Sequence, residues 1–161
     1  MTTTLTLTAS VITASFPNIV LTPISTATNP PTYARSTLRA AQTQLNANAA
    51  SIPSHVGDGL HGHIVLTLAA TEYAALSALP FAPPVNPAPI LEHPTGLTNH
   101  QITKITRLHT IACSVFRTYN EVDKALRTQV IHADADHYIE DLYDVTLEYG
   151  NVSCLQLLTH L

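Results

Sequence analysis

The chain has 161 residues and a net charge of −4, and 11% of its residues are charged. This length suffices for one domain that buries a core without disulfide staples. The negative net charge argues against a whole-domain basic surface for nucleic acid.

The N-terminal segment alternates Thr with Leu and has no basic residue before its apolar positions, so it lacks the pattern of a signal peptide. No apolar run approaches the ~18 residues of a membrane span. We therefore expect no export signal and no membrane partner.

The two cysteines, Cys113 and Cys154, lie inside apolar helical patterns. Thiols in such positions are usually buried and inert. A secreted disulfide framework needs more cysteines at fixed spacings. We therefore expect free thiols in a reducing compartment and a cytoplasmic location.

The first 31 residues combine the Thr–Leu alternation with four prolines. This composition predicts a weak strand near residues 5–12 within an extended Thr- and Pro-rich leader. A single helical domain is expected over residues 32–161. Its first helix is predicted over residues 32–52, where apolar or small residues recur every three or four positions until Pro53 ends the pattern.

The stretch "GDGLHGHIVLTL" (residues 57–68) places a glycine-rich turn before a β-branched, apolar run. We predict a short strand over residues 63–68, followed by a helix over residues 69–79 with Thr71 as a candidate cap. Six prolines between residues 80 and 94 exclude both helix and central strand there, so this segment is predicted to be an extended connector.

The strongest helical pattern begins at a capping box, Thr98 to Gln101. Apolar residues then step by three or four positions as far as Val130, without Gly or Pro. The pattern predicts one long helix, or two helices joined by a bend near residues 114–120. Five of the seven basic residues lie on it: Lys104, Arg107, Arg117, Lys124 and Arg127. A solvated helix face and an RNA-binding face both explain these residues.

Residues 134–149 carry six acidic residues and no basic ones. An acidic amphipathic helix is predicted here, beginning at Asp134 or Asp136 and ending before Gly150. A second capping box, Ser153 to Gln156, predicts a final helix that the chain end truncates.

His61 and His63 lie two positions apart, so on a strand they share one face and can share a metal ion. Further candidate ligands are His55, Asp58, His93, His132 and His137. Because no motif of fixed geometry such as HExxH links them, we favour hydrogen bonds from both histidines to loop backbone. A small metal-dependent enzyme using His61 and His63 remains the alternative. No nucleophile elbow and no nucleotide-binding glycine loop occurs, so we predict neither an enzyme nor a cofactor.

Three successive stretches, "GLHGHIVLTLAATEYAAL", "PFAPPVNPAP" and "VFRTYNEVDKALRTQVIHADADHYIEDLYDVTLEYGNVSCLQLLTHL", resemble in their order the Gag-like capsid region of Ty1/copia-type LTR retrotransposons. The resemblance covers roughly residues 55–161. It implies a mainly α-helical capsid domain that self-assembles into a shell around the element's RNA. It also implies packing roles for His63 and for the Leu157, Leu158, His160 and Leu161 group.

In that family RNA is handled by a downstream zinc-knuckle segment, whereas this chain has two cysteines and no CxxC. We therefore expect any contact with element RNA to come from a missing downstream segment, and we expect the protein's main partner to be a second copy of itself. The residues predicted to mediate contacts, within one subunit or between two, are Arg117, Lys124 and Arg127 against Asp141, Asp144 and Glu148.

Overall fold

The computed structural model describes residues 7–26, 32–88, 90–134 and 136–161. Within these residues the helices are α1 (Ala9–Ser15), α2 (Arg35–Ser51), α3 (Ala70–Leu76), α4 (Asn99–Ala133), α5 (Asp136–Ile139) and α6 (Cys154–His160). Two-residue strands, β1 (Ser25–Thr26) and β2 (Thr32–Tyr33), pair antiparallel. The fold is mainly helical, as the sequence predicted. None of these helices is both long enough and apolar enough to cross a membrane.

Helix α4 is the longest element, with 35 residues in one unbroken helix. The predicted capping box is present, because the Thr98 hydroxyl accepts a hydrogen bond from the Gln101 N–H (3.4 Å) and the Gln101 side chain accepts one from the Thr98 N–H (2.9 Å). At about 1.5 Å per residue, α4 is about 52 Å long. The bend considered near residues 114–120 does not occur.

The core forms where α1, α2 and α6 pack against α4. All the fully buried residues of α4 lie between Val122 and Val130. The largest buried core side chains include Ile12, Ile24, Leu45, Val122, Leu126, Val130, Ile139 and Leu157. The core therefore surrounds only the C-terminal part of α4.

A buried amide pair joins α2 to α4 inside this core. The Asn48 side-chain amide donates to the Gln129 carbonyl oxygen at 2.9 Å, and Gln129 donates in turn to the backbone oxygens of Asn18 and Ile19, both at 2.9 Å. The Asn48 oxygen accepts from the Asn18 N–H at 2.9 Å. Because both amides are buried and hydrogen-bonded, they fix the segment after α1 against both helices.

The strand predicted near residues 5–12 is wrong for residues 9–12, which belong to α1; residues 1–6 and 27–31 of the predicted leader lie outside the described residues. Ile12 and Phe16, one helical turn apart, are buried against the core. The Glu121 carboxylate accepts from the Ala9 N–H at 2.7 Å, at the helix N-terminus where a negative charge is favourable. These tertiary contacts with α4 outweigh the local Thr–Leu alternation.

The strand predicted over residues 63–68 is also wrong, because Ile64–Leu66 form a 3-10 turn. Gly62, at φ +54°, reverses the chain so that the His63 N–H reaches the Ala49 oxygen at the end of α2 (2.9 Å). The next helix, α3, is shorter than the predicted 69–79, and the proposed cap Thr71 lies inside it.

The acidic helix predicted over residues 134–149 is wrong beyond residue 142. Helix α5 and a 3-10 turn (Glu140–Leu142) are followed by a tight reversal in which Asp144 and Glu148 pair through their backbones. The Asp144 carboxylate accepts from the N–H groups of Thr146 and Leu147, both at 2.8 Å, which favours a turn over a helix. Residue 135 and the side chain of Asp136 lie outside the part of the chain that the structure describes.

The second predicted capping box is confirmed at α6. The Ser153 hydroxyl accepts from the Gln156 N–H at 3.2 Å, and the Gln156 side chain accepts from the Ser153 N–H at 2.7 Å. The structure describes all of the proline-rich residues 80–94 except Pro89. As predicted, none of those described forms a helix or a strand.

Replacing Gly62 by alanine tests the close approach of this loop to α2. A Cβ at residue 62 would overlap the backbone oxygens of Ala50 and Ile52, in a backbone conformation that already disfavours side chains. We expect Gly62→Ala to lower the free energy of unfolding by about 3 kcal/mol, measured by urea denaturation. Gly96→Ala is the matched control, since Gly96 has φ +89° but open space around it, and should lose only about 1 kcal/mol. Equal losses in the two variants would contradict the loop packing.

Candidate functional site

The N-terminal part of α4, residues 99–118, extends beyond the core, and we call it the outer half of α4. The helix has one apolar face, which continues from the buried Val122 and Leu126 towards its N-terminus in steps of three or four residues. The continuation, which we call the outer stripe, consists of the exposed Leu108, Ile111 and Ala112 and of Val115, which is half-buried where the stripe approaches the core. Leu108 is 56% exposed and Ile111 is 45% exposed. The same face is therefore buried at one end and open to solvent at the other.

The outer half of α4 is positively charged. It carries Lys104, Arg107 and Arg117, all exposed, and contains no Asp or Glu. Lys104 and Leu108 lie one turn apart on one side of the helix, and Arg107 and Ile111 are related in the same way. Cationic side chains therefore flank the outer stripe.

The proline-rich segment lies along another side of the outer half. Near its start, the rings of Phe81 and Tyr119 are stacked with centroids 6.0 Å apart. Further along, the His109 Nε2–H donates to the Ala88 oxygen at 2.7 Å. The segment thus runs antiparallel to α4 and packs on it, which leaves Leu108 and Ile111 uncovered.

A second exposed surface lies after the C-terminal end of α4, in residues 140–148, which we call the acidic turn. It presents the exposed carboxylates of Glu140, Asp141, Asp144 and Glu148. Two of its aliphatic side chains are exposed as well, Val145 at 91% and Leu147 at 51%. The backbone N–H groups of Leu147 and Thr146 hold the pKa of Asp144 below its usual value, so this carboxylate is charged at neutral pH.

The predicted ion pairs do not form within one subunit. In the described residues none of Arg117, Lys124 and Arg127 lies within 4.0 Å of the carboxylates of the acidic turn. Arg127 instead lies 3.8 Å from Asp123 and donates to the backbone oxygens of Gly150 (3.2 Å) and Val152 (2.5 Å). Arg127 is therefore a structural residue that fastens the segment before α6 to α4.

Asp123 is a residue that the sequence analysis did not single out. Its carboxylate accepts from the Cys154 N–H at 3.0 Å, at the start of α6. Burial raises its pKa, against the opposing effects of the Cys154 N–H and Arg127. The signal in the sequence was its position four residues before Arg127, where opposite charges meet on one helix face.

The two candidate metal-binding histidines contact backbone oxygens. The buried His63 donates through Nδ1 to the Ile52 oxygen at 2.9 Å, and His61 donates through Nε2 to the Leu76 oxygen at 3.0 Å. Burial lowers the pKa of His63, so its ring is neutral at pH 7. The favoured interpretation, hydrogen bonding to backbone, is confirmed for both histidines, but the acceptors lie at the ends of α3 and α2 rather than in a loop at the start of a strand. Across the described residues, which do not include the side chain of His137, no three His, Cys, Asp or Glu side chains gather around a common point.

Two cavities flank α4 near the base of its outer half. The larger, about 350 Å³, is bounded by the rings of Tyr73, Phe81 and Tyr119, with the Asp123 carboxylate on its polar side. Burial and the nearby Asp123 raise the pKa of Tyr119, so its hydroxyl is neutral. The smaller cavity, about 260 Å³, includes His63 and Val115. Both expose more apolar than polar surface, and the smaller one also contains the imidazole rings of His55 and His63.

No protein-family model, curated protein or solved structure matches this chain.

Truncating Arg127 tests its structural role. Arg127→Ala leaves two backbone oxygens and the partly buried Asp123 without their charged partner, so we expect a loss of about 2–3 kcal/mol in the free energy of unfolding. Lys124→Ala, on an exposed position of the same helix, should change stability by less than about 0.5 kcal/mol. Denaturant titration of both variants gives the comparison, and similar stability of the two would refute this role for Arg127.

Alkylation distinguishes the two thiols. Cys154 is fully buried, and burial strongly raises its pKa, whereas Cys113 is partly exposed. Because the thiolate is the reactive form, iodoacetamide should label only Cys113 in the folded protein and both residues in denaturant. Mass spectrometry of the labelled chain measures this, and rapid native labelling of Cys154 would show that the core around α6 is open.

Proposed function

We propose that this protein is a structural, non-catalytic subunit that self-associates, of the type that forms Gag-like capsids in Ty1/copia-type LTR retrotransposons. The observation that carries the proposal is the outer stripe of α4, an apolar helix face that packs in the core at one end and is exposed at the other. A helical domain with such an uncovered face is suited to binding another protein surface. The mainly helical fold agrees with what the family resemblance implies.

The size of the outer stripe indicates that each contact is weak. Leu108 and Ile111 are each about half buried already, so complete burial of either contributes on the order of 1 kcal/mol. Association of two free proteins opposes this with an entropic cost of at least about 4 kcal/mol. A single contact therefore gives little dimer, whereas several contacts per subunit in one particle reinforce one another.

In this proposal the protein acts in the cytoplasm as a homo-oligomer. Element RNA is contacted mainly by a downstream zinc-knuckle segment, as the resemblance implies. The exposed Lys104, Arg107 and Arg117 favour a second candidate function, direct RNA binding by the outer half of α4. Three cations on a chain of net charge −4 make this the weaker candidate.

Self-association is tested by adding charge to the outer stripe. We expect the average mass of the nuclease-treated protein to rise with concentration in light-scattering measurements, and particles to be visible by negative-stain microscopy. Leu108→Glu with Ile111→Glu should shift the concentration needed for association upwards at least tenfold, because two charges would have to be buried.

The matched control is Thr43→Glu with Ala47→Glu, which adds the same charge at exposed positions of α2, away from the outer half of α4. This control should associate like the original protein, and circular dichroism should show equal helix content in all three. A protein that stays monomeric at high concentration and in molecular crowders would overturn the proposal. So would normal association of the Leu108→Glu, Ile111→Glu variant.

A further inference from the structure

The outer half of α4 and the acidic turn have complementary chemistry. The first has Lys104 and Arg107 beside an exposed apolar stripe, and no carboxylate. The second has Asp141 and Glu148 beside exposed apolar side chains, and no cation. Each surface thus offers the charge that the other lacks, together with hydrocarbon to bury against it.

The two surfaces cannot meet within one molecule. The acidic turn is anchored near the C-terminal end of α4, where Arg127 donates to the oxygen of Gly150 at 3.2 Å. Leu108 lies 19 residues before Arg127, a distance of about 28 Å along a continuous helix. The rigid α4 therefore holds the basic, apolar surface and the acidic, apolar surface well apart.

We infer that the outer half of α4 is the docking surface for the acidic turn of a second copy of this chain, in a head-to-tail contact. This inference rests on the proposed self-association and specifies which surfaces meet. A contact between two different surfaces leaves one of each free at the ends, so it continues into a ring or an open array rather than stopping at a dimer.

A symmetric contact between two outer stripes fits the charges less well. Such a pair would bring the cationic Lys104 and Arg107 of both copies to one interface with no carboxylate of the outer half of α4 among them. Like charges across an interface oppose association, whereas the acidic turn neutralises them. The complementarity also predicts that association weakens as salt is raised.

Charge reversal with complementation tests the inference. One variant, Lys104→Glu with Arg107→Glu, makes the helix surface acidic; the other, Asp141→Lys with Glu148→Lys, makes the turn basic. Asp144 is left unchanged because its carboxylate holds the turn. Each variant alone sets like charges against each other, so the concentration for half-maximal association should rise at least tenfold in each.

An equimolar mixture of the two variants restores opposite charges at every contact, so it should associate within about threefold of the original protein's concentration. Arg35→Glu with Arg39→Glu is the control, since it changes the net charge equally at exposed positions of α2 and should leave association unchanged. All samples are measured before and after nuclease treatment, by light scattering from low to high salt.

The outcomes separate this inference from the proposed function. An original protein that never associates removes both. The head-to-tail contact is overturned if the turn variant, Asp141→Lys with Glu148→Lys, associates like the original protein and the mixture associates no better than expected from the two variants alone. Self-association through another surface would then still stand. Association that disappears on nuclease treatment assigns the cations of α4 to RNA and overturns the contact as well.

Discussion

The backbone periodicity of one unbroken helix is the constraint on which the structure depends. At 3.6 residues per turn, the face of α4 that carries Val122 and Leu126 also carries Leu108 and Val115. The core covers this face only where α1, α2 and α6 reach it. Because α4 is rigid and much longer than the helices around it, burying its C-terminal part leaves the rest of the face exposed.

The contacts that hold α4 in the core are polar as well as apolar. The Asn48 amide donates to the Gln129 oxygen, and the carboxylates of Glu121 and Asp123 accept from the first N–H groups of α1 and α6. Gln129, Glu121 and Asp123 all lie in the C-terminal part of α4, and together with Asn48 of α2 they fix which segments surround it. In the described part of the chain, the outer half has the proline-rich segment beside it, fixed by His109 and the ring of Tyr119, and near its base the loop residues of the smaller cavity.

Long-range contacts explain where sequence reasoning succeeded and failed. The extent of α4 and the caps at Thr98 and Ser153 were predictable, because periodicity and capping boxes are local. The segments around Ile12 and His63 were not, since their conformation depends on Glu121 and on the end of α2. Charge patterns correctly predicted which segments are basic and which are acidic, but not which groups the charged side chains contact. Arg127 was assigned to an interaction surface, although backbone oxygens from before α6 surround its guanidinium.

The separation of charge along α4 bears directly on how copies can associate. Two molecules that are each positive at one end of a rigid helix and negative at the other attract each other most strongly when unlike ends meet. At physiological salt, charges more than about 8–10 Å apart are screened from each other. Attraction is therefore local to each contact, and the apolar side chains beside the charges supply the part of the binding free energy that salt does not screen. In the head-to-tail contact that we propose, each interface would bury few such side chains, so a stable particle would need subunits that use both ends at once. A protein with one strong symmetric patch would stop at the dimer, whereas the proposed pairing of two weak, unlike surfaces favours growth.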